Sequence, residues 1–82
     1  MEKIQEGFDV FLHDGTHAFG AVRRVAAHDI VVYIENAGDF TVPMSAVQDA
    51  HSEKVILNSG RIDKALKDAI TKAHKGEDPR IP

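Results

Sequence analysis

Eighty-two residues hold one domain, and at that size a single core is marginal unless close packing, a metal or a partner subunit supplements it. Ten Lys and Arg against thirteen Asp and Glu leave a net charge of −3, a field that repels phosphate backbones and disfavours nucleic acid as a partner. The absence of cysteine removes disulfides, thiolate zinc sites and thiol catalysis; with no signal-like run after Met1 and no stretch near the ~20 apolar residues of a membrane span, the expected setting is cytoplasmic, without a membrane partner.

The first strand is expected over Phe8 to His13, with Phe8, Val10 and Leu12 on one side and Phe11 among polar neighbours on the other, in need of cover. Asp14-Gly15-Thr16-His17 is a turn signal in which Gly15 supplies positive φ, and Ala21 to Val25 is the return strand. Gly20, inside the second strand, predicts a bulge, a sharp bend or a close backbone approach. Arg23-Arg24 is an adjacent basic pair, but neighbours on a regular strand point to opposite faces and make no single patch. After a turn at His28-Asp29, Ile30-Val31-Val32-Tyr33-Ile34 is apolar on both faces, the pattern of a central strand covered on two sides, with Val32 and Ile34 as core residues.

Asn36-Ala37-Gly38-Asp39 predicts the third turn and Phe40-Thr41-Val42 the fourth strand, which Pro43 ends because proline has no N–H to donate. Met44 to Ala50 is expected to make one turn before a fifth strand, Lys54 to Leu57. From Arg61 the apolar period changes to 3.6: Ile62, Ala65, Leu66, Ala69, Ile70 and Ala73 fall on one narrow stripe. A helix of about 60–75 is predicted, with Ser59 or Asn58 as cap, Asp63 facing Lys67 and Asp68 facing Lys72 at i, i+4, and Gly76 as its stop. A helix this short depends on docking its stripe, so Leu66 and Ile70 are its anchors. Residues 1–76 then form one domain, a β unit of about 5–57 plus the helix, and 77–82 a polar, proline-broken tail.

The fold class expected is mainly β: a small bent antiparallel barrel of five or six strands, SH3-like, with one C-terminal α-helix. In order along the chain, Val10, Asp14-Gly15, Gly20, Val22, Val25, Ile30 to Ile34, Phe40-Thr41-Val42-Pro43, Ala46-Val47 and Val55-Ile56-Leu57 resemble the PRC-barrel group, particularly its small stand-alone bacterial members. The resemblance covers roughly residues 5 to 57. It implies a compact, highly bent β-barrel; members with known roles, the ribosome maturation factor and the reaction-centre H subunit, use theirs mainly as protein-docking surfaces. No catalytic residue transfers, because the group has no catalytic motif to match.

The residues themselves point the same way. No nucleophile elbow surrounds Ser45, Ser52 or Ser59, no glycine loop cradles phosphate, and the carboxylates Glu77-Asp78 lie in the tail, so the chain reads as a non-enzyme with no cofactor. Phe11, Val31, Tyr33 and Phe40 form an apolar surplus beyond what one alanine-rich helix covers, which predicts an interface and a homodimer or another protein partner. The alternative is a small ligand- or metal-sensing barrel: His13 and His17 flank the first turn, and with Asp14 they would suit an open divalent transition-metal site. RNA contact would require Arg23 or Arg24 to converge with Lys54.

Overall fold

The computed structural model of the chain describes residues 2–13 and 17–77, with the backbone alone over 73–77. Six strands, β1 (Asp9–Leu12), β2 (Gly20–Val25), β3 (Asp29–Ile34), β4 (Gly38–Pro43), β5 (Val47–His51) and β6 (Lys54–Leu57), make one sheet in the order β4-β3-β2-β1-β6-β5, and α1 (Lys64–Glu77) follows. The fold is mainly β, a small bent sheet with one C-terminal helix.

The sheet departs from an antiparallel barrel in two ways. β1 and β6 run parallel, Asp9 beside Lys54 through Leu12 beside Leu57, so the sheet is mixed. The ladder also stays open, with β4 and β5 as its terminal strands. Pro43 ends β4 without a donor, and the chain leaves that edge through a 3₁₀ turn, Met44–Ala46, instead of laying β5 alongside β4. β3, expected at the centre, lies second from the edge and is covered on one face: Ile30, Val32 and Ile34 are fully buried, Val31 half-buried and Tyr33 exposed.

Residues 47–50, expected within the single turn of Met44 to Ala50, belong to β5 instead. β5 joins β6 through Ser52 and Glu53, both left-handed at φ 54° and 62°, which is the backbone of a two-residue primed turn built without glycine or asparagine. The N-terminal arm fastens β5 from outside: Glu2 N–H donates to the Ala50 carbonyl at 2.7 Å, and its carboxylate accepts from Ser52 N–H at 3.1 Å. Ile4 and Phe8, in the same arm, are buried.

Two register shifts bend the sheet. One lies between Val22 and Arg24 on β2 and the other between Val47 and Asp49 on β5. A bulge places two residues against one, turning the strand and increasing its twist. It also explains how Val47 and Ala50, three apart, are both buried. Gly20, opposite Val10 and Ile34, serves close approach and not positive φ: a Cβ there would collide with the Tyr33 carbonyl oxygen and lie 3.1 Å from Val32 Cγ1. The turn before β4 instead has left-handed residues, Asn36 at φ 69° and Gly38 at φ 93°. Gly15 and Asp14, assigned to the first turn, lie outside the described residues.

The helix begins later than its stripe suggests. Asn58 does cap a helix, but the short 3₁₀ turn Ser59–Arg61, its side chain accepting from Gly60 N–H at 2.8 Å; Ile62 is then extended. Asp63 caps α1, its carboxylate accepting from Leu66 N–H at 2.9 Å. Asp63 is thus a cap and makes no ion pair with Lys67 among the described residues, nor does Asp68 with Lys72. Gly76 does not stop the helix, which runs to Glu77.

α1 packs against its own sheet. Ile62, Leu66, Ala69 and Ile70 are buried in one cluster with Val10, Ile30, Val32, Ile34, Val55 and Leu57, while Ala65 faces solvent. Burying Ile62, Leu66 and Ile70 is worth about 1.5–3 kcal/mol each before ordering costs. Among the described residues no helix is long and apolar enough to cross a membrane.

Candidate functional site

Strand parity divides the residues expected at an interface. On β4, Phe40 shares the side of Val42 and stands opposite Val32, so its ring packs partly buried against the core and leaves the proposed interface set. Phe11 points the other way, half-buried opposite Ile56, with the Lys54 ammonium 5.7 Å from its ring centroid. Val31 and Tyr33 lie on the outer face, paired with Thr41 and Asp39 of β4. Of the apolar surplus the core takes Phe40, and Phe11, Val31 and Tyr33 stay outside it. Val25 and Tyr33, at 38% and 39%, are the exposed large hydrophobics among the described residues.

The bulge in β2 gives this outer face its character. In a regular strand Arg23 and Arg24 would diverge, but the irregular register at Val22/Arg24 brings both into one hollow with Glu6, Val31, Asp39 and Thr41. Arg23 lies 4.9 Å over the centroid of the Tyr33 ring and its Nε is 3.0 Å from the Asp39 carboxylate. Ring and carboxylate together fix a side chain that would otherwise sample many rotamers. Both partners are about half exposed, so the pair adds little to stability; its effect is to hold the guanidinium in place.

On the other side of Tyr33 lies a second open hollow of about 400 Å³, lined by Ala18, Phe19, Gly20, Ala21, Tyr33 and Glu35. The Arg23-Tyr33-Asp39 ridge therefore separates a hollow of mixed charge from one floored mainly by small and aromatic residues. The sequence carried a sign of the ridge in Tyr33, the only tyrosine, on a strand that is otherwise aliphatic. It carried none of the bulge, since Val22-Arg23-Arg24 contains no glycine.

The histidine end is different. His13 and His17 are both exposed, His13 held through its backbone N–H to the Leu57 carbonyl at 3.0 Å, and Asp14, the third proposed ligand, lies outside the described residues. Among the described residues no three His, Asp or Glu side chains gather in a way that could hold a metal ion. His51 stands 3.8 Å from the Asp49 carboxylate at the far end of β5, both about half exposed. Lys54 is beside Phe11 on β6 and not in the hollow with Arg23 and Arg24, so the three cations named for RNA contact do not converge there.

No protein-family model, curated protein or solved structure matches the chain. The PRC-barrel resemblance therefore stands only on the residues quoted for it.

Proposed function

We propose that this protein is a non-catalytic docking module of the cytoplasm that engages another protein chain through the outer face of β2, β3 and β4. The observation that carries the reading is the exposed Tyr33 ring with Arg23 fixed across it by Asp39. Tyrosine and arginine are the side chains most enriched where binding energy concentrates, and a guanidinium already held in place loses less freedom on docking. The half-buried Val31 and the hollows on either side supply relief that a partner can fill.

Two further features support the non-catalytic part of the reading. No polar or charged side chain is buried among the described residues, whereas acid-base and nucleophilic groups are activated chiefly by burial and fixed partners. Both hollows are open, while catalytic electrostatics gain their strength where water is excluded. The PRC-barrel resemblance, whose known members dock proteins, agrees with this assignment.

Photo-crosslinking tests it. A benzophenone side chain at position 33 is expected to give a discrete protein adduct in the cells that make the protein, and the same group at Lys67, exposed on α1, none. Silence at position 33, or equal labelling at both positions, would refute the docking face.

A further inference from the structure

We infer that the partner binds with an extended stretch of its chain, laid along the free edge of β4 as a seventh strand. The inference rests on the docking reading above and adds the form in which the partner engages.

The two edges of the sheet are finished differently. At β5 the outward backbone groups are already taken: Ala50 N–H donates to the Asp49 carboxylate at 2.8 Å, the Ala50 carbonyl accepts from Glu2 N–H, and Ser52 N–H donates to the Glu2 carboxylate. At β4 they are not. Met44 N–H donates to the His28 carbonyl one step past the pairing of Asp29 with Pro43, and bonding alternates along an antiparallel ladder, so Val42, Phe40 and Gly38 are the residues bonded to β3. Asp39 and Thr41 therefore turn their N–H and carbonyl groups away from the sheet, and no described residue bonds those backbone groups.

Little on this edge deters an added strand. A charged side chain is a common guard, but Asp39 is already engaged by Arg23. Pro43 withholds a donor only at the last position of β4.

The side chains define the segment that fits. Ala37, Phe40 and Met44, before, within and after β4, pack against the core yet stay only partly buried, so the apolar layer is unfinished along the same edge that has unbonded donors. Donors and carbonyls that recur at every second residue match an extended backbone, whereas a helix bonds its own. A strand laid there turns alternate side chains inward beside Phe40 and the others outward beside Thr41, which shares a hollow with Arg23. The occupant is thus a short extended segment, apolar on one side and polar on the other.

The probe is a synthetic peptide, acetyl-Lys-Val-Thr-Val-Thr-Val-Lys-amide, whose β-branched residues favour the extended form and whose lysines discourage self-association. It is titrated into the isotope-labelled full chain while amide hydrogen exchange is followed by NMR. In the free protein the Asp39 and Thr41 amides should exchange quickly and those of Phe40 and Val42 slowly. Saturating peptide should slow exchange at Asp39 and Thr41 at least about tenfold and leave Ala50 and Ser52 unchanged. Thr41→Pro removes an outward donor without taking a bond from the ladder to β3, and should weaken binding at least about tenfold. Thr41→Val keeps the N–H and should bind like the wild type. Circular dichroism checks that both variants fold.

Absence of saturable binding up to about 1 mM peptide would overturn the inference, as would protection at Ala50 and Ser52 instead, or a Thr41→Pro variant that binds like the wild type. Protection of Asp39 and Thr41 that grows with protein concentration alone would assign the edge to a second copy and overturn it too. If position 33 crosslinks in cells while the peptide leaves the edge unprotected, the added strand fails and the docking face survives. With no adduct and no protection, both fall.

Discussion

Replacing Gly20 by alanine probes the point at which three strands come together. Gly20 stands between Val10 of β1 and Ile34 of β3, and its Cβ would enter the Tyr33 carbonyl oxygen, with Val32 Cγ1 at 3.1 Å and the Tyr33 carbonyl carbon at 3.3 Å. The first obstacle is backbone and cannot rotate aside. β2 and β3 must therefore separate locally. Overpacking of this kind costs about 1–3 kcal/mol, and weakening one ladder hydrogen bond adds about 1 kcal/mol. At about 4–8 °C per kcal/mol for a domain of this size, Tm should fall on the order of 10–25 °C. Calorimetry of Gly20→Ala beside Gly38→Asn gives the contrast. Gly38 has φ 93° and open space around its missing Cβ, so asparagine, which tolerates left-handed backbone, should cost no more than about 1–2 kcal/mol there. A Gly20→Ala variant melting within about 3 °C of wild type would refute the steric argument, because a real collision with backbone exceeds 1 kcal/mol.

Asp63→Ala should destabilise the domain by about 1 kcal/mol in chemical denaturation, since the Leu66 N–H loses its acceptor at the start of α1; Asp68→Ala, which removes no cap, should change it by less than half as much. The β5-β6 turn offers the opposite sign. Ser52→Asn with Glu53→Gly puts residues suited to left-handed backbone where the native ones are strained, and the Asp9 N–H to Glu53 carbonyl bond, being backbone, is kept. Thermal unfolding should shift upward by about 1 kcal/mol, or roughly 4–8 °C.

Most strands and the docked helix were legible because alternation and the 3.6 period leave marks in residue type. Val32, Ile34, Leu66 and Ile70 all lie where those periods put them. What was missed depended on backbone states that residue type did not announce. β5 was hidden because Val47 and Ala50 are three apart across a bulge and because its turn uses Ser52 and Glu53 instead of glycine. The same blindness separated Arg23 from Arg24. Phe40 could have been placed correctly: it is two residues from Val42, and counting by twos from that core residue assigns it inward. Asp63 was read only as an ion-pair partner of Lys67, with the cap sought at Ser59 or Asn58; the extended backbone at Ile62 delays the helix and makes Asp63 its cap.

The parallel pairing of β1 with β6 has a consequence for the order of events during synthesis. β2, β3 and β4 can pair with their neighbours soon after they emerge, but one edge of β1 must wait until Lys54 to Leu57 have been made, and the anchors on α1 come later still. Until then the chain is a half-clad ribbon whose greasy side, Val10, Val22, Ile30 and Val32, has nothing over it. Long-range strand pairings close slowly compared with local ones. The nascent chain's period of greatest risk from aggregation therefore falls between completion of its fourth strand and arrival of α1, which is when a chaperone would find the most to hold.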